Sequence, residues 1–368
     1  MIAKQRKRRK TRSARSGRGS SRDARSRALS EQAREDSPGQ PGVIVAHHGV
    51  AVDVRLDPGP TSAPEAGPAP ETGVAAELGP KTDAETGTDS PSAASRPVSV
   101  SVKVRRRSGH VVGDRVEVFG ERLRRLERDN ELRRRDAFGR VHVVSANLDV
   151  LGIVVAPRPA SPAGFVDRAL ISALSSGVRP FLVLNKAELP EAEALATSLR
   201  ETYVDGPGGI DLTILEVSAK AALGLDALRE FFARGERRGA FVGTSGVGKS
   251  SLVNALLPEV ALGVGEINEH SGLGRHTTTT ATLHRLPGGG ELIDTPGFRD
   301  FGLVDLDVRE LARFFPGFFE ILSRETCRFS DCRHLVEPDC AIRAAVADGR
   351  LATARWQRYR DLVAEISS

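Results

Sequence analysis

The stretch that decides the fold is Gly243–Ser250, which reads GTSGVGKS. It follows a short apolar strand, Gly239–Val242, and precedes an apolar helical pattern that runs through Leu252 to Leu257. This is the complete G-x-x-x-x-G-K-S phosphate loop (P-loop) in the strand–loop–helix context that makes the motif specific. The glycines let successive backbone N–H groups face the phosphates, and the N-terminus of the helix adds partial positive charge. We therefore predict an α/β fold with a P-loop nucleotide site.

Each position of this loop has a predicted part in nucleotide binding. Lys249 is expected to reach the β- and γ-phosphates and to act in catalysis, and Ser250 is expected to ligate Mg²⁺. The other residues predicted to surround the phosphates are Gly243, Thr244, Ser245, Gly246, Val247, Gly248 and Ser251.

Two further motifs follow along the chain. Residues 292–297 read LIDTPG, an apolar strand that ends in Asp-x-x-Gly. Asp294 is placed to hold Mg²⁺ through water, and Gly297 can offer its N–H to the γ-phosphate. Between the motifs, residues 274–280 read GRHTTTT, and one of the threonines can close over Mg²⁺. Thr278 and Thr279 are the candidates, and the sequence does not decide between them.

Residues that select the base occur earlier in the chain, at the ends of two predicted strands. Asn185 and Lys186 follow the strand in LVLNKAE, and Ser218, Ala219 and Lys220 follow another in EVSAK. These tripeptides resemble the N-K-x-D and S-A-K guanine motifs of GTPases, in which an acid accepts hydrogen bonds from guanine. That acid is Glu188 here, and its additional methylene alters its reach. ATP and xanthosine nucleotides therefore remain alternative substrates.

The order of the motifs differs from that of ordinary GTPases. The guanine motifs precede the P-loop, and the threonine segment and Asp-x-x-Gly follow it, so the motifs are circularly permuted. Phe298 follows Gly297, where many GTPases have a water-orienting Gln, and Phe cannot orient water by hydrogen bonding. His276 is the nearest substitute, with a solvated loop histidine as the alternative.

All three cysteines of the chain lie close together, in the pattern C-x4-C-x-H-x5-C. Three thiolates and an imidazole match a closed tetrahedral Zn²⁺ site, which is structural rather than catalytic, and free buried thiols are the alternative. The predicted ligands of one zinc ion per chain are Cys327, Cys332, His334 and Cys340.

Charge is distributed unevenly along the 368 residues. Residues 1–30 contain twelve Lys and Arg and one acid, whereas the whole chain sums to +5. Residues 1–42 are predicted to be a disordered basic arm, because they have too little apolar surface to offset the entropy of ordering. Basic residues also cluster in residues 122–140, either for RNA contact or as a solvated face.

The patterning predicts three folded parts after the arm. Residues 43–140 alternate apolar and polar residues in short strands, interrupted at about 56–97 by an acidic, proline-rich insertion predicted to be disordered. Residues 141–304 alternate strands with helices, which predicts a parallel sheet covered on both faces. Residues 305–368 are predicted to form helices around the cysteines, and the aromatic residues of the last helix are predicted to be core. No apolar run is long enough to span a bilayer, so no membrane association is expected.

Together these motifs resemble the ribosome small subunit-dependent GTPase A family. The matching stretches are NKAE, SAK, GTSGVGKSSL, GLGRHTTTT, LIDTPGFRDFGL and CRFSDCRHLVEPDC, in the order of that family. The resemblance implies an N-terminal OB-fold, a circularly permuted GTPase domain and a C-terminal zinc domain. It implies GTP hydrolysis to GDP with Mg²⁺, stimulated by the small ribosomal subunit (30S) during its late maturation, and His276 as a hydrolysis-assisting residue.

The function predicted from the sequence is therefore a GTP-hydrolysing ribosome assembly factor. Its expected partners are GTP, GDP and the small subunit with its rRNA, and it is expected to be cytoplasmic and monomeric. The alternative is an RNA-binding assembly scaffold that senses nucleotide and hydrolyses little of it, which Phe298 and Glu188 favour.

Overall fold

The computed structural model describes residues 39–58, 98–136, 138–258, 281–294 and 306–367. Most of the predicted arm and of the acidic insertion lie outside these ranges, as do His276, Thr278, Thr279, Gly297 and Phe298.

The described residues form thirteen strands, a π-helical turn at Glu201–Asp205 and eight α-helices. The strands are β1 Gln40–His47, β2 Ala51–Leu56, β3 Ser99–Lys103, β4 Arg115–Phe119, β5 Arg122–Arg125, β6 Glu131–Arg135, β7 Val141–Ala146, β8 Val150–Val155, β9 Arg179–Leu184, β10 Ile214–Glu216, β11 Arg238–Val242, β12 Thr282–Arg285 and β13 Glu291–Asp294. The helices are α1 Phe165–Ser175, α2 Ala192–Arg200, α3 Leu225–Ala233, α4 Lys249–Leu256, α5 Val308–Phe314, α6 Phe318–Leu322, α7 Ala341–Ala347 and α8 Thr353–Ser367.

The central sheet has the order β10-β9-β8-β11-β13 with parallel pairing throughout, and β12 pairs antiparallel with β13. Alternate residues of β8 enter different cores: Leu151 and Ile153 pack with α1 and α2, whereas Val150 and Val154 pack with α3 and α4. Apolar side chains on both faces explain why β8 is a continuous hydrophobic run. The predicted parallel sheet with helices on both faces is confirmed.

The N-terminal strands continue this sheet, because β1 pairs with β12, and they are ordered β3-β2-β1-β4-β5 with antiparallel pairing throughout. β1 begins at Gln40, so residues 40–42 are strand and not part of a disordered arm, because they pair with residues 116–118 of β4. Leu56 likewise ends β2 and is 8% exposed, so the predicted insertion cannot begin there. β7, at the predicted start of the GTPase domain, pairs with β6 and not with the parallel strands.

Part of the basic segment has an internal role. The Arg128 side chain is only 9% exposed and pairs with Asp114 and Glu131, and these partners raise the pKa of its guanidinium. Arg124, by contrast, is 64% exposed and pairs with Glu117 on the neighbouring strand. The arginines of residues 122–140 therefore divide between ion pairs that hold the strands together and a solvent-facing set.

The C-terminal helices surround a core of their own. Phe315, Phe318 and Tyr359 form a cluster of ring contacts, with centroids 4.7 to 5.3 Å apart. Tyr359 and Leu362 are buried, which confirms the interpretation of the α8 apolar face as core. None of the described helices has the length and apolar character needed to span a membrane.

Candidate nucleotide site and metal centre

Four of the predicted nucleotide-binding segments lie together at the carboxyl-terminal ends of the strands of the central sheet. The P-loop follows β11, Asn185 follows β9, Ser218 follows β10, and Asp294 is the last residue of β13. Because these strands are parallel, their carboxyl ends open to the same side, which is the usual ligand edge of such sheets.

The P-loop connects β11 to α4, and its own lysine, Lys249, makes hydrogen bonds within the loop. Nζ of Lys249 donates hydrogen bonds to the carbonyls of Gly243 at 2.6 Å and Thr244 at 3.0 Å. Gly246 and Gly248 have φ angles of 83° and 97°, which glycine adopts without strain. Lys249, Ser250 and Ser251 open helix α4, so their N–H groups belong to its positive end.

Asn185 joins the guanine motifs to the P-loop. Its side chain is 2% exposed, its Nδ2 donates to the carbonyl of Val247 at 2.8 Å, and its Oδ1 accepts from the N–H of Ala219 at 3.2 Å. One buried amide therefore connects the loops after β9, β10 and β11. The sequence motif identified Asn185 but not its contact with the P-loop.

The neighbouring Lys186 reaches across the same gap. Its Nζ donates to the carbonyls of Gly246 at 2.8 Å and Arg158 at 2.7 Å, and the residue has a φ of 64°. A Cβ at Gly246 would lie 3.2 Å from Pro159. The loop after β8 therefore packs against the P-loop. No sequence motif predicted this contact.

Glu188 stands beside Ser218 at the base end of the site. The Ser218 side chain hydrogen-bonds the Glu188 carboxylate and holds its pKa below the ordinary value. Ser218 Oγ also accepts from the N–H of Ala221 at 2.8 Å, which orders the turn that carries Ala219 and Lys220. The longer acid is therefore adjacent to the S-A-K turn.

Asp294 lies at the phosphate end of the site. It lies opposite Thr282 of the neighbouring strand β12. Burial raises the pKa of the Asp294 carboxyl above its usual value, and the nearby His284 acts to lower it. The remaining predicted residues of this end, His276, Thr278, Thr279 and Gly297, lie outside the described residues.

The four predicted metal ligands come together in the loop between α6 and α7. The ligand atoms of Cys327, Cys332, His334 and Cys340 all lie within 4.8 Å of one another. Sγ of Cys327 is 4.0 Å from Sγ of Cys340, and Nδ1 of His334 is 3.5 and 3.4 Å from these two sulfurs. Zn–S bonds of about 2.3 Å and Zn–N bonds of about 2.0 Å would place tetrahedral neighbours about 3.5 to 3.8 Å apart. The cluster can therefore hold a metal ion.

Helix α8 holds this loop in place through two aromatic side chains. Nε1 of Trp356 donates to the carbonyl of His334 at 2.8 Å, and the hydroxyl of Tyr359 donates to the carbonyl of Arg333 at 3.0 Å. His334 has a φ of 62°, an unusual backbone conformation that these contacts support. The aromatic residues of α8 therefore both fill the core and orient the backbone of a candidate metal ligand, His334.

The contact between Gly248 and Asn185 gives a test of the P-loop geometry. A Cβ at Gly248 would lie 2.2 Å from Nδ2 of Asn185, at a φ that side chains rarely adopt. We expect Gly248→Ala to weaken GDP binding about 30-fold, since about 2 kcal/mol of strain and displacement converts to that factor. Gly235→Ala is the matched control in a fluorescent-GDP titration, because Gly235 has a φ of 77° but open space around it. Equal affinities of the two variants would contradict the expectation.

The chain is similar to known proteins in sequence and in fold. The model of the RsgA GTPase family matches residues 125–304. The "Small ribosomal subunit biogenesis GTPase RsgA" of Pseudomonas fluorescens is 38% identical over 336 residues, which cover 89% of this chain and 86% of that protein. The protein of the same name from Azotobacter vinelandii is 37% identical over 345 residues, with 93% and 90% covered.

Two solved structures share the architecture. YjeQ from Thermotoga maritima matches with a TM-score of 0.60 and 26% identity, over 89% of this chain and 99% of that chain. YloQ, described as a circularly permuted GTPase, matches with a TM-score of 0.59 and 23% identity, over 90% and 96%. The fold described above therefore occurs in both of these structures. The chain belongs to the RsgA GTPase family.

Proposed function

We propose that this protein hydrolyses GTP to GDP and phosphate, that it acts in biogenesis of the small ribosomal subunit, and that the subunit stimulates hydrolysis. The observation that carries the proposal is the Asn185 bridge, which joins the guanine motifs to a formed P-loop at the ligand edge of the sheet. The names of the relatives at 37% and 38% identity supply the ribosomal context.

The P-loop residues supply the proposed contacts to the phosphates. Lys249 now donates to two carbonyls of its own loop, and the same Nζ would turn to the β- and γ-phosphates of bound GTP. The N–H groups of Gly243 to Ser251 would bind the phosphate oxygens, and the Thr244 hydroxyl, which is buried and lacks a hydrogen-bond partner in the described part of the chain, is a further donor.

Ser250 and Asp294 fit the oxygen ligands that Mg²⁺ prefers. Ser250 would ligate the ion directly and Asp294 through water, with Thr278 or Thr279 as a third contact. When bound, Mg²⁺ neutralises negative charge on the β- and γ-phosphate oxygens.

The base end is assigned to Asn185, Lys186, Glu188 and the S-A-K turn. Glu188 would accept hydrogen bonds from guanine N1 and N2, and Ser218 would orient its carboxylate for that contact. Lys186 would support the base while its Nζ remains on Gly246 and Arg158.

The flanking parts are proposed to serve subunit binding. The strand order β3-β2-β1-β4-β5 supports an OB-fold for the N-terminal strands, and OB-folds bind nucleic acid. The donor set and spacing of the cysteine cluster support one structural zinc ion in the C-terminal helices. We propose rRNA as the ligand of these parts and a cytoplasmic monomer as the active form.

Phosphate release with and without purified small subunits tests the proposed function. We expect stimulation of at least about tenfold at saturating GTP if the subunit completes the site. Tight GDP binding without stimulated hydrolysis would favour the assembly scaffold instead. Competition by unlabelled ATP or XTP against bound GDP tests whether adenine or xanthine nucleotides bind in place of guanine nucleotides.

His276 is proposed as the residue that assists the attacking water. His276→Ala is expected to lower the subunit-stimulated rate about 100-fold, the lower end of what general acid–base catalysis contributes. GDP affinity should stay within a factor of about two, because the P-loop and base contacts are untouched. His142→Ala, an exposed histidine paired with Asp136, is the control. A wild-type stimulated rate in His276→Ala would remove this residue from the mechanism.

A further inference from the structure

A partly buried ion cluster joins the N-terminal strands to the strand that ends in Asp294. Glu291 is the first residue of β13, and its side chain is 15% exposed. Its Oε2 accepts hydrogen bonds from Nε and Nη2 of Arg238 at 2.8 and 2.7 Å, and its Oε1 accepts one from Arg55. Arg238 belongs to β11, which leads into the P-loop, and Arg55 belongs to β2. One carboxylate thus connects two strands of the nucleotide site with one of the N-terminal strands.

The charge balance keeps this cluster together. Burial alone would raise the pKa of Glu291, but the guanidinium groups of Arg238 and Arg55 outweigh burial and hold it below its ordinary value. A buried carboxylate is retained when it is paired, and removing a partner leaves it undercompensated. Because Arg238 stays in place when Arg55 is removed, Glu291 would still have one partner.

Backbone pairing forms a second connection between the same parts. Thr282 of β12 lies opposite Ala46 of β1 on one side and opposite Asp294 on the other. The loop before β4 also packs closely here, since a Cβ at Gly113 would lie 3.3 Å from Cδ1 of Ile293. The N-terminal part therefore approaches β13 at its first residue, at Ile293 and, through Thr282, at its last residue.

We propose that Arg55 and Glu291 are positioning residues for Asp294, through which a ligand on the N-terminal strands adjusts the magnesium side of the nucleotide site. This proposal rests on the proposed function, because it takes Asp294 as the residue that holds Mg²⁺ through water and the small subunit as the ligand of the N-terminal strands. The distance from Glu291 to Asp294 along a strand is about 10 Å at the usual rise per residue. β13 is paired with β11 and β12 on its two sides, so a shift at Glu291 carries Asp294 with it.

The test uses the full-length Arg55→Met variant, which removes the charge and keeps much of the side-chain volume. We expect the Mg²⁺ concentration for half-maximal basal hydrolysis to rise about fivefold, a typical coupling factor between sites. GDP affinity without Mg²⁺ should stay within a factor of about two, because the P-loop and Asn185 are untouched. Stimulation by small subunits should fall by about fivefold as well.

Two companion variants make the result specific. Arg55→Lys retains the charge and should restore most of the Mg²⁺ dependence. Arg124→Met removes an arginine from the same strand group, but its partner Glu117 lies on β4 and not on β13, so its Mg²⁺ dependence should be that of the wild type. Thermal unfolding of all three variants shows whether a general loss of stability is responsible.

The outcomes are distinct for this inference and for the proposed function. Wild-type Mg²⁺ dependence in Arg55→Met, or the same change in Arg124→Met, would overturn the positioning role. Absence of stimulation in the wild-type protein would overturn the proposed function, while the Mg²⁺ titration, which needs no subunits, would still decide the role of Arg55 and Glu291.

Discussion

Cys332→Ser is expected to lose about one equivalent of bound zinc and to unfold the C-terminal helices well below the unfolding temperature of the wild type. Structural zinc sites contribute about 10 kcal/mol or more of apparent binding free energy at neutral pH, which becomes folding free energy. The loop is also part of the core of these helices, because Cys332 and Cys340 pack with Phe318 and Tyr359, so loss of the metal would loosen that core as well. Zinc released by a thiol reagent, together with thermal unfolding, measures both effects.

The same measurement on two histidine variants separates loss of the metal from loss of a side chain. His334→Asn should behave like Cys332→Ser, because His334 is buried and its Nδ1 faces two of the sulfurs. His142→Asn should retain the metal and the wild-type unfolding profile, since His142 is half exposed on β7. GDP binding should survive in all of them, as the nucleotide loops lie on a different part of the fold. A Cys332→Ser protein with a full equivalent of zinc would contradict the proposed centre.

Local sequence patterns were sufficient to predict the elements that carry the chemistry. Each of them is a short segment whose residue types determine its geometry: the P-loop, the strand ends at Asn185 and Ser218, and the loop that contains the four predicted metal ligands. Helix α3 begins at Leu225 because apolar residues at helical spacing follow Gly224 directly. The sheet with helices on both faces follows from the same periodicity.

Contacts between distant parts of the chain could not be predicted in this way. Arg55 and Glu291 are separated by 236 positions, and neither belongs to a motif. The pairing of β1 with β12 likewise places Ala46 opposite Thr282, two residues that are far apart in the sequence. Residues 40–42 contain Pro and Gly and resemble a loop, yet pairing with β4 makes them strand, which is why the predicted arm was too long.

Asn185→Ala is expected to weaken GDP and GTP binding by about 30-fold to 10⁴-fold. The change leaves the carbonyl of Val247 and the N–H of Ala219 without a partner, and each unpaired buried group costs about 1–3 kcal/mol. In the free protein the two loops can relax toward water. Nucleotide binding must then return them to the bound geometry with those groups still unpaired, so the cost appears in the affinity. Calorimetric titration with GDP measures it directly.

The control for this prediction is Asn130→Ala, because it removes an amide with the same kind of contacts away from the nucleotide. Nδ2 of Asn130 donates to the carbonyl of Leu148 at 2.7 Å, and its Oδ1 accepts from the Leu148 N–H at 2.9 Å. We expect both variants to lose stability, since both leave backbone groups unpaired, but only Asn185→Ala to lose nucleotide affinity. An equal loss of affinity in the two variants would mean that general destabilisation weakens binding. Unchanged affinity in Asn185→Ala would mean that the P-loop keeps its shape without the bridge, and the guanine motifs and the phosphate loop would then act independently.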